Sequence, residues 1–186
     1  RDLPGRRELI LELCRDAAER FNRRYGDTFV LPQHSIPTAG ARVMDLQEPS
    51  NKMSKSAASP QGTVLVTDAP EAVLRKFKRA VTDSDGEVRY DPATKPGVTN
   101  LLSILGAATR TDPAALAERY SQYGPLKTDC AEAVIAVLEP IQARYAELRD
   151  DPAEVQRVLR VGAERAESQA ATVLDRTQRA IGLLPR

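Results

Sequence analysis

The sequence predicts a mainly α-helical chain, in which the end of an α/β layer leads into a helical bundle. Three observations carry that expectation. From residue 68 onward apolar residues recur at helical spacing almost without interruption. Prolines stand repeatedly where such periodic stretches begin, as in Asp68-Ala69-Pro70, Asp112-Pro113 and Asp151-Pro152. Before residue 68 only two short extended stretches are legible, too few to close a sheet. The 186 residues suffice for one ordinary domain or two small ones. Hydrophobic content of 41% and charged content of 28% fit a globular chain, and aromatics at 4% with no Trp require an aliphatic core.

In chain order, Leu9, Ile10, Leu13, Ala17 and Phe21 place a helix over 6–24, which Gly26 is positioned to end. Thr28-Phe29-Val30-Leu31 reads as a short buried strand stopped by Pro32, and 41–44 as a second extended segment. Asp68 is the expected cap of the next helix, with Pro70 in its first turn and Val73, Leu74, Phe77 and Val81 on one face. Residues 97–105 form a helix on Val98, Leu101, Leu102 and Leu105. Another starts at Asp112-Pro113 and ends near Gly124. A longer one runs over 127–148, kinked by Pro140. The last starts at Asp151-Pro152 and continues to Ile181, with alanines suited to close helix contact.

The charge balance, 27 basic against 26 acidic residues, excludes a polybasic tail but leaves room for a local basic face. Arg75, Lys76, Lys78 and Arg79 are such a cluster, either a solvated face or a nucleic-acid surface. Cys14 and Cys130 lie far apart without metal-ligand spacing and read as reduced thiols. No set of ligands marks a metal site. No apolar run approaches membrane-spanning length and no signal-like start is present, so a soluble, cytoplasmic chain without a membrane partner is expected.

One stretch stands out: Lys52-Met53-Ser54-Lys55-Ser56, preceded by Pro49 and followed by Ala57-Ala58-Ser59-Pro60-Gln61-Gly62. Loops of small residues gather backbone N–H groups and hydroxyls around an anion, and two lysines add mobile positive charge. That is chemistry for holding a polyphosphate, although composition alone would describe a solvated polar loop.

This string resembles the KMSKS signature of class I aminoacyl-tRNA synthetases, and its flanks are similar to the bacterial tryptophanyl-tRNA synthetases. The resemblance is carried by 41–49, by Ala80-Val81-Thr82-Asp83-Ser84, by Arg89-Tyr90-Asp91, by 95–102 and by 161–166. It implies residues 1–67 as the C-terminal part of a Rossmann-like catalytic domain and 68–186 as an α-helical tRNA anticodon-binding domain. It implies ATP, accompanied by Mg2+, as cofactor, and tryptophan and tryptophan tRNA as substrates, in a homodimer when the enzyme is full length. Lys52 and Lys55 would stabilise the leaving pyrophosphate, Lys55 the more directly. Val43, Met44, Met53, Ser54 and Ser56 complete the expected ATP site. Of these, Val43 and Met44 offer backbone groups to adenine and Met53 packs beneath the loop. Candidate tRNA contacts are Arg75, Lys76 and Arg79, with Arg157, Arg160 and Arg165 on the final helix.

The sequence departs from the family in lacking the HIGH-like motif, the indole-selecting residues and a clean Gly-x-Asp-Gln segment at its start. It therefore reads as the C-terminal half of a tryptophan–tRNA ligase: a fragment, a truncated gene product or one segment of a longer polymer. The alternative is a non-catalytic tRNA-binding or interaction protein derived from that enzyme. A tyrosine-specific relative is disfavoured by 95–102.

Overall fold

A computed structural model describes residues 6–33, 35, 42–56 and 59–183. Of the stretches singled out above, Ala41, Ala57, Ala58 and the first five residues lie outside them. Among the described residues six helices follow in order: α1 (Arg6–Tyr25), α2 (Pro70–Lys78), α3 (Pro96–Thr109), α4 (Pro113–Ala117), α5 (Tyr123–Asp150) and α6 (Pro152–Ala180). Among the described residues there is no strand, and a single antiparallel bridge joins Met44 to Lys52. The mainly α expectation holds.

The chain divides into two compact units, one taking residues up to Ser35 together with those from Asp151, the other residues 36–150. In the first unit, α1 ends as expected: Gly26 takes φ +88°, a conformation that suits a residue without Cβ, and its N–H reaches the Asn22 carbonyl at 2.9 Å. The expected strand over Thr28–Leu31 does not form. Asn22 Oδ1 accepts from Thr28 N and Phe29 N at 3.0 and 2.9 Å, and Asn22 Nδ2 donates to Phe29 O at 2.7 Å. A side chain thus takes the peptide groups that a neighbouring strand would have used. Phe29 packs edge-on against Phe21, with centroids 5.0 Å apart, while Val30, expected inside, is 92% exposed. Helix α6 is capped by Asp151, whose carboxylate accepts from Glu154 N, and none of its residues is buried.

The second unit holds the core. Helix α3 is its axis, with nine buried residues from Gly97 to Gly106, and it packs against α4 and α5 while α2 packs against α5. Val73 and Phe77 of α2, Val98, Leu101, Leu102 and Leu105 of α3, and Leu126, Cys130 and Ala131 of α5 form one aliphatic cluster, joined by Leu46. At Gly97 a Cβ would stand 2.3 Å from the Val81 carbonyl oxygen, so the start of α3 requires glycine for this close approach.

Several boundaries differ from the sequence reading. Helix α2 is capped at Ala69 without a side-chain bond, because the Asp68 carboxylate is engaged by Leu65 N (2.9 Å) and Lys76 Nζ (2.5 Å). Val81 lies beyond that helix, its N–H donating to Leu46 O at 2.8 Å. Helix α4 is only five residues long, and Gly124 falls inside α5 rather than closing the helix before it. Helix α5 continues through Pro140, which has no N–H to donate one turn back.

Candidate functional site

The signature pentapeptide is built onto the unit's core by its flanks. Asp45 Oδ1 accepts from Gln47 N (2.8 Å) and Glu48 N (3.1 Å), which turns the chain sharply after Met44. The returning segment then pairs with the outgoing one: Met53 N donates to Val43 O at 3.0 Å and Asp45 N to Asn51 O at 2.8 Å, with Met44 and Lys52 opposite each other between them. In an antiparallel pair of this type the two opposed residues point their own peptide groups away from each other. Those of Met44 meet α3: Asn100 Nδ2 donates to Met44 O at 2.8 Å and Asn100 Oδ1 accepts from Met44 N at 2.9 Å. Leu46, also buried, donates to Gly62 O at 2.9 Å and accepts from Val81 N.

A second anchor lies within the pentapeptide. Thr63 Oγ1 donates to the Ser54 carbonyl at 3.0 Å, and the Thr63 carbonyl accepts from Lys76 Nζ at 2.8 Å. Lys76 is also paired with Asp68, whose carbonyl accepts from Gln142 Nε2 at 2.9 Å. Ser54 is thereby connected through Thr63 and Lys76 to α2 and α5. Met53 is half-buried against the core, beside an apolar cavity of about 170 Å³ also lined by Val43, Val64, Phe77, Ile104 and Leu138. Lys52, Ser54, Lys55 and Ser56 are exposed. The Ser54 and Ser56 hydroxyls stand 3.0 Å apart, and Ser56 N donates to Ser54 Oγ at 3.3 Å. The result is a pair of ammonium groups and a pair of hydroxyls in solvent on a loop whose entry and middle are fixed. Such a loop can meet an anion with little reorganisation at its base.

Two predicted residues are engaged within the protein. Met44's N–H and C=O are each hydrogen-bonded to Asn100, which pins the backbone where the loop begins and leaves the carbonyl's second lone pair as what it can still offer. Lys76 does not share a basic surface with Arg75 and Arg79: it is 9% exposed and its ammonium is held by Asp68 and Thr63, whereas Arg75, Lys78 and Arg79 are exposed. On α6, Arg157, Arg160 and Arg165 are exposed, and Arg157 forms a two-pronged pair with Glu154 at 2.6 and 2.7 Å. Asn100 and Thr63 were not singled out from sequence. An amide in the middle of the apolar run of α3 was the available signal for Asn100.

An ionic cluster around the buried Lys95 ties down the segment between α2 and α3. The Lys95 ammonium, with its side chain 1% exposed, donates to Asp83 Oδ1 at 3.0 Å and to Asp85, and lies 3.2 Å from the Tyr123 hydroxyl. Hydrogen bonding from Lys95 holds the Asp85 carboxyl well below the usual carboxylate range. Burial, reinforced by the Asp83 carboxylate, pushes the Tyr123 hydroxyl up to about 12. Burial pulls Lys95 down, but its bonds to Asp85, Tyr123 and Asp83 outweigh this and hold it above the usual lysine range. Among the described residues no group of three or more His, Cys, Asp or Glu side chains could hold a metal ion.

An exposed Lys-Met-Ser-Lys-Ser loop carried at the edge of an aliphatic helical unit defines a class, and comparison with known proteins gives the same one. The family model "tRNA synthetases class I (W and Y)" matches residues 8–144, and the chain belongs to that family. Within it, the chain is 51% identical over 175 residues to tryptophan–tRNA ligase 1 of Streptomyces coelicolor, covering 94% of this chain and 52% of that protein. It is 47% identical over 178 residues to tryptophan–tRNA ligase of Mycobacterium leprae, covering 95% and 52%. The tryptophanyl-tRNA synthetase structure from Mycoplasma pneumoniae superposes with a TM-score of 0.83 at 32% identity, covering 94% of this chain and 53% of that one. The Campylobacter jejuni tryptophanyl-tRNA synthetase complexed with ADP and tryptophan gives 0.60 at 26%, covering 97% and 56%. The chain spans about half the length of the curated relatives it matches.

Proposed function

We propose that this chain is the C-terminal half of a tryptophan–tRNA ligase, supplying the signature loop for adenylate formation and the helices that hold tRNA. The observation that carries the proposal is the exposed, doubly anchored loop Lys52–Ser56 in a chain about half identical to proteins of that name. In such a ligase the tryptophan carboxylate attacks the α-phosphorus of ATP, the bond to the bridging oxygen breaks, and pyrophosphate leaves. Negative charge grows on that leaving group, so cations aimed at it lower the barrier. Lys55 and Lys52 are those cations, the Ser54 and Ser56 hydroxyls donate to phosphate oxygens, the Val43–Met44 segment lies against adenine, and Met53 packs beneath the loop. Magnesium arrives on the nucleotide, and no protein ligand is assigned to it.

Residues 1–67 are the end of the catalytic domain and 68–186 the anticodon-binding domain, with Arg75 and Arg79 or Arg157, Arg160 and Arg165 meeting phosphates. The complete ligase is a cytoplasmic homodimer. The test is pyrophosphate exchange by the ligase containing this chain, with Lys55→Ala. Loss of a preorganised charge contact is expected to slow exchange about 100- to 1000-fold, equivalent to about 3 to 4 kcal/mol. Tryptophan affinity should change little, and an unchanged exchange rate removes Lys55 from the mechanism.

A further inference from the structure

Asn100 is 4% exposed, set between the buried Thr99 and Leu101 of α3, and its side chain reaches across 56 residues of sequence to Met44. Its amide presents one donor and one acceptor side by side, the same pair that a strand's peptide units would present. The antiparallel bridge turns Met44's N–H and C=O away from Lys52, so without Asn100 they would face the interior unpaired, which is costly. Asn100 therefore stands in for the missing third strand. Its own place is fixed by Leu101 and Leu102, exposed 1% and 0%. No other side chain is hydrogen-bonded to the Met44 peptide groups among the described residues.

We propose that Asn100 is a positioning residue for the polyphosphate-binding loop: by clamping the Met44 peptide it sets the point from which Lys52 enters that loop. This rests on the reading of Lys52–Ser56 as a polyphosphate loop. The residue touches no substrate. It acts through the Met44–Lys52 bridge, and the ligand class affected is the triphosphate or its pyrophosphate product. A carboxylate of the same shape keeps the acceptor but sets a negative oxygen against the Met44 carbonyl. A carboxylic acid restores the donor. Asn100→Asp therefore converts the clamp into one that proton binding switches on, and burial raises the pKa of such a carboxyl toward the accessible range.

The experiment titrates the 186-residue chain with inorganic pyrophosphate at pH 8 and pH 5, comparing wild type, Asn100→Asp and Lys55→Ala. The variant-to-wild-type ratio at each pH removes the pyrophosphate's own ionisation. Asn100→Asp is expected to bind about tenfold more weakly at pH 8 and close to wild type at pH 5, a recovery that general destabilisation would not produce. Lys55→Ala is expected to be weak at both. If Lys55→Ala weakens binding and Asn100→Asp matches wild type at both pH values, or is equally weak at both, the positioning role is overturned and the loop reading stands. If wild type does not bind, or Lys55→Ala binds as wild type does, the loop reading fails and takes this role with it. Hydrogen exchange on the wild-type chain is independent of how the variants fold. The Met44 amide should be protected as strongly as the α3 amides, and rapid exchange there overturns the clamp.

Discussion

Cys130 makes the stability of the core depend on pH in a direction set by its burial. The thiol is fully enclosed between α3 and α5, 3.4 Å from the Leu101 carbonyl, and burial pushes its pKa well above the usual thiol range. A group whose folded pKa is raised contributes fully below its unfolded pKa and loses that contribution as pH rises past it. The unfolded thiol ionises near about pH 8.5, so each further pH unit favours the unfolded chain by about 1.4 kcal/mol until the folded pKa is reached. Between pH 7.5 and 9.5 the expected loss is about 1.4 kcal/mol, since the lower pH precedes ionisation and the upper lies one unit beyond it. Urea denaturation under reducing conditions, in a Cys14→Ala background, measures this directly. Cys130→Ala should begin about 1 kcal/mol less stable at pH 7.5, having lost a buried sulfur, yet should lose about 1.4 kcal/mol less between the two pH values. Stopping at pH 9.5 stays below the range where unfolded tyrosines titrate, which matters because Tyr120 and Tyr123 are each pushed up to about 12. If Cys130→Ala falls with pH as steeply as its parent, the thiol is not enclosed as described.

Three further outcomes are expected. Phe77→Ala, at a side chain 1% exposed between α2 and its neighbours, should cost about 3 to 5 kcal/mol in denaturant unfolding; a loss under about 1 kcal/mol would mean that α2 is not packed as described. Lys76→Met should cost about 3 kcal/mol because it leaves Asp68 without its cation, and adding Asp68→Leu should recover part of that. Additive losses in this double-mutant cycle would show the pair to be uncoupled. Neutralising Arg75 and Arg79 together should lower the log–log salt slope of tRNA binding by about 0.7 to 0.9 per lost phosphate contact. An unaltered slope, with affinity also unaltered, would make those arginines a solvated face.

The elements legible in the sequence were those written in local periodicity and punctuation. The apolar spacing of α3 places its start within one residue, although the helix runs four residues past the expected 105 to Thr109, and the left-handed Gly26 ends α1 where expected. The signature loop was legible as a string. What escaped was decided by partners distant in sequence. Thr28–Leu31 has strand-forming residues, but Asn22 captures its peptide groups. Lys76 belongs to a basic run, yet a helix turns every residue to a different side and this one faces Asp68 and the Thr63 carbonyl. The stripe of α1 was correctly periodic and still leaves Leu9, Ile10 and Leu13 more than half exposed, because periodicity reports a face and not what covers it. At the candidate site, the lysines and serines were legible and the two anchors, Asn100 and Thr63, were not, since each acts by hydrogen-bonding the backbone of another segment, Asn100 twice to Met44 and Thr63 once to Ser54.

The knot of Lys95, Asp83, Asp85 and Tyr123 has a consequence for the order in which the chain acquires its shape. No residue between Ala80 and Lys95 belongs to a helix or strand, so this segment has no repeating ladder from which to fold piecemeal. Two of its carboxylates reach a lysine 10 and 12 residues on and a tyrosine from α5, 38 and 40 residues on, and that tyrosine also reaches the Glu87 carbonyl. The more distant closure requires α3 and α5 to have met. The segment is therefore expected to open as one unit in native-state hydrogen exchange, at a lower free energy than the α3 amides.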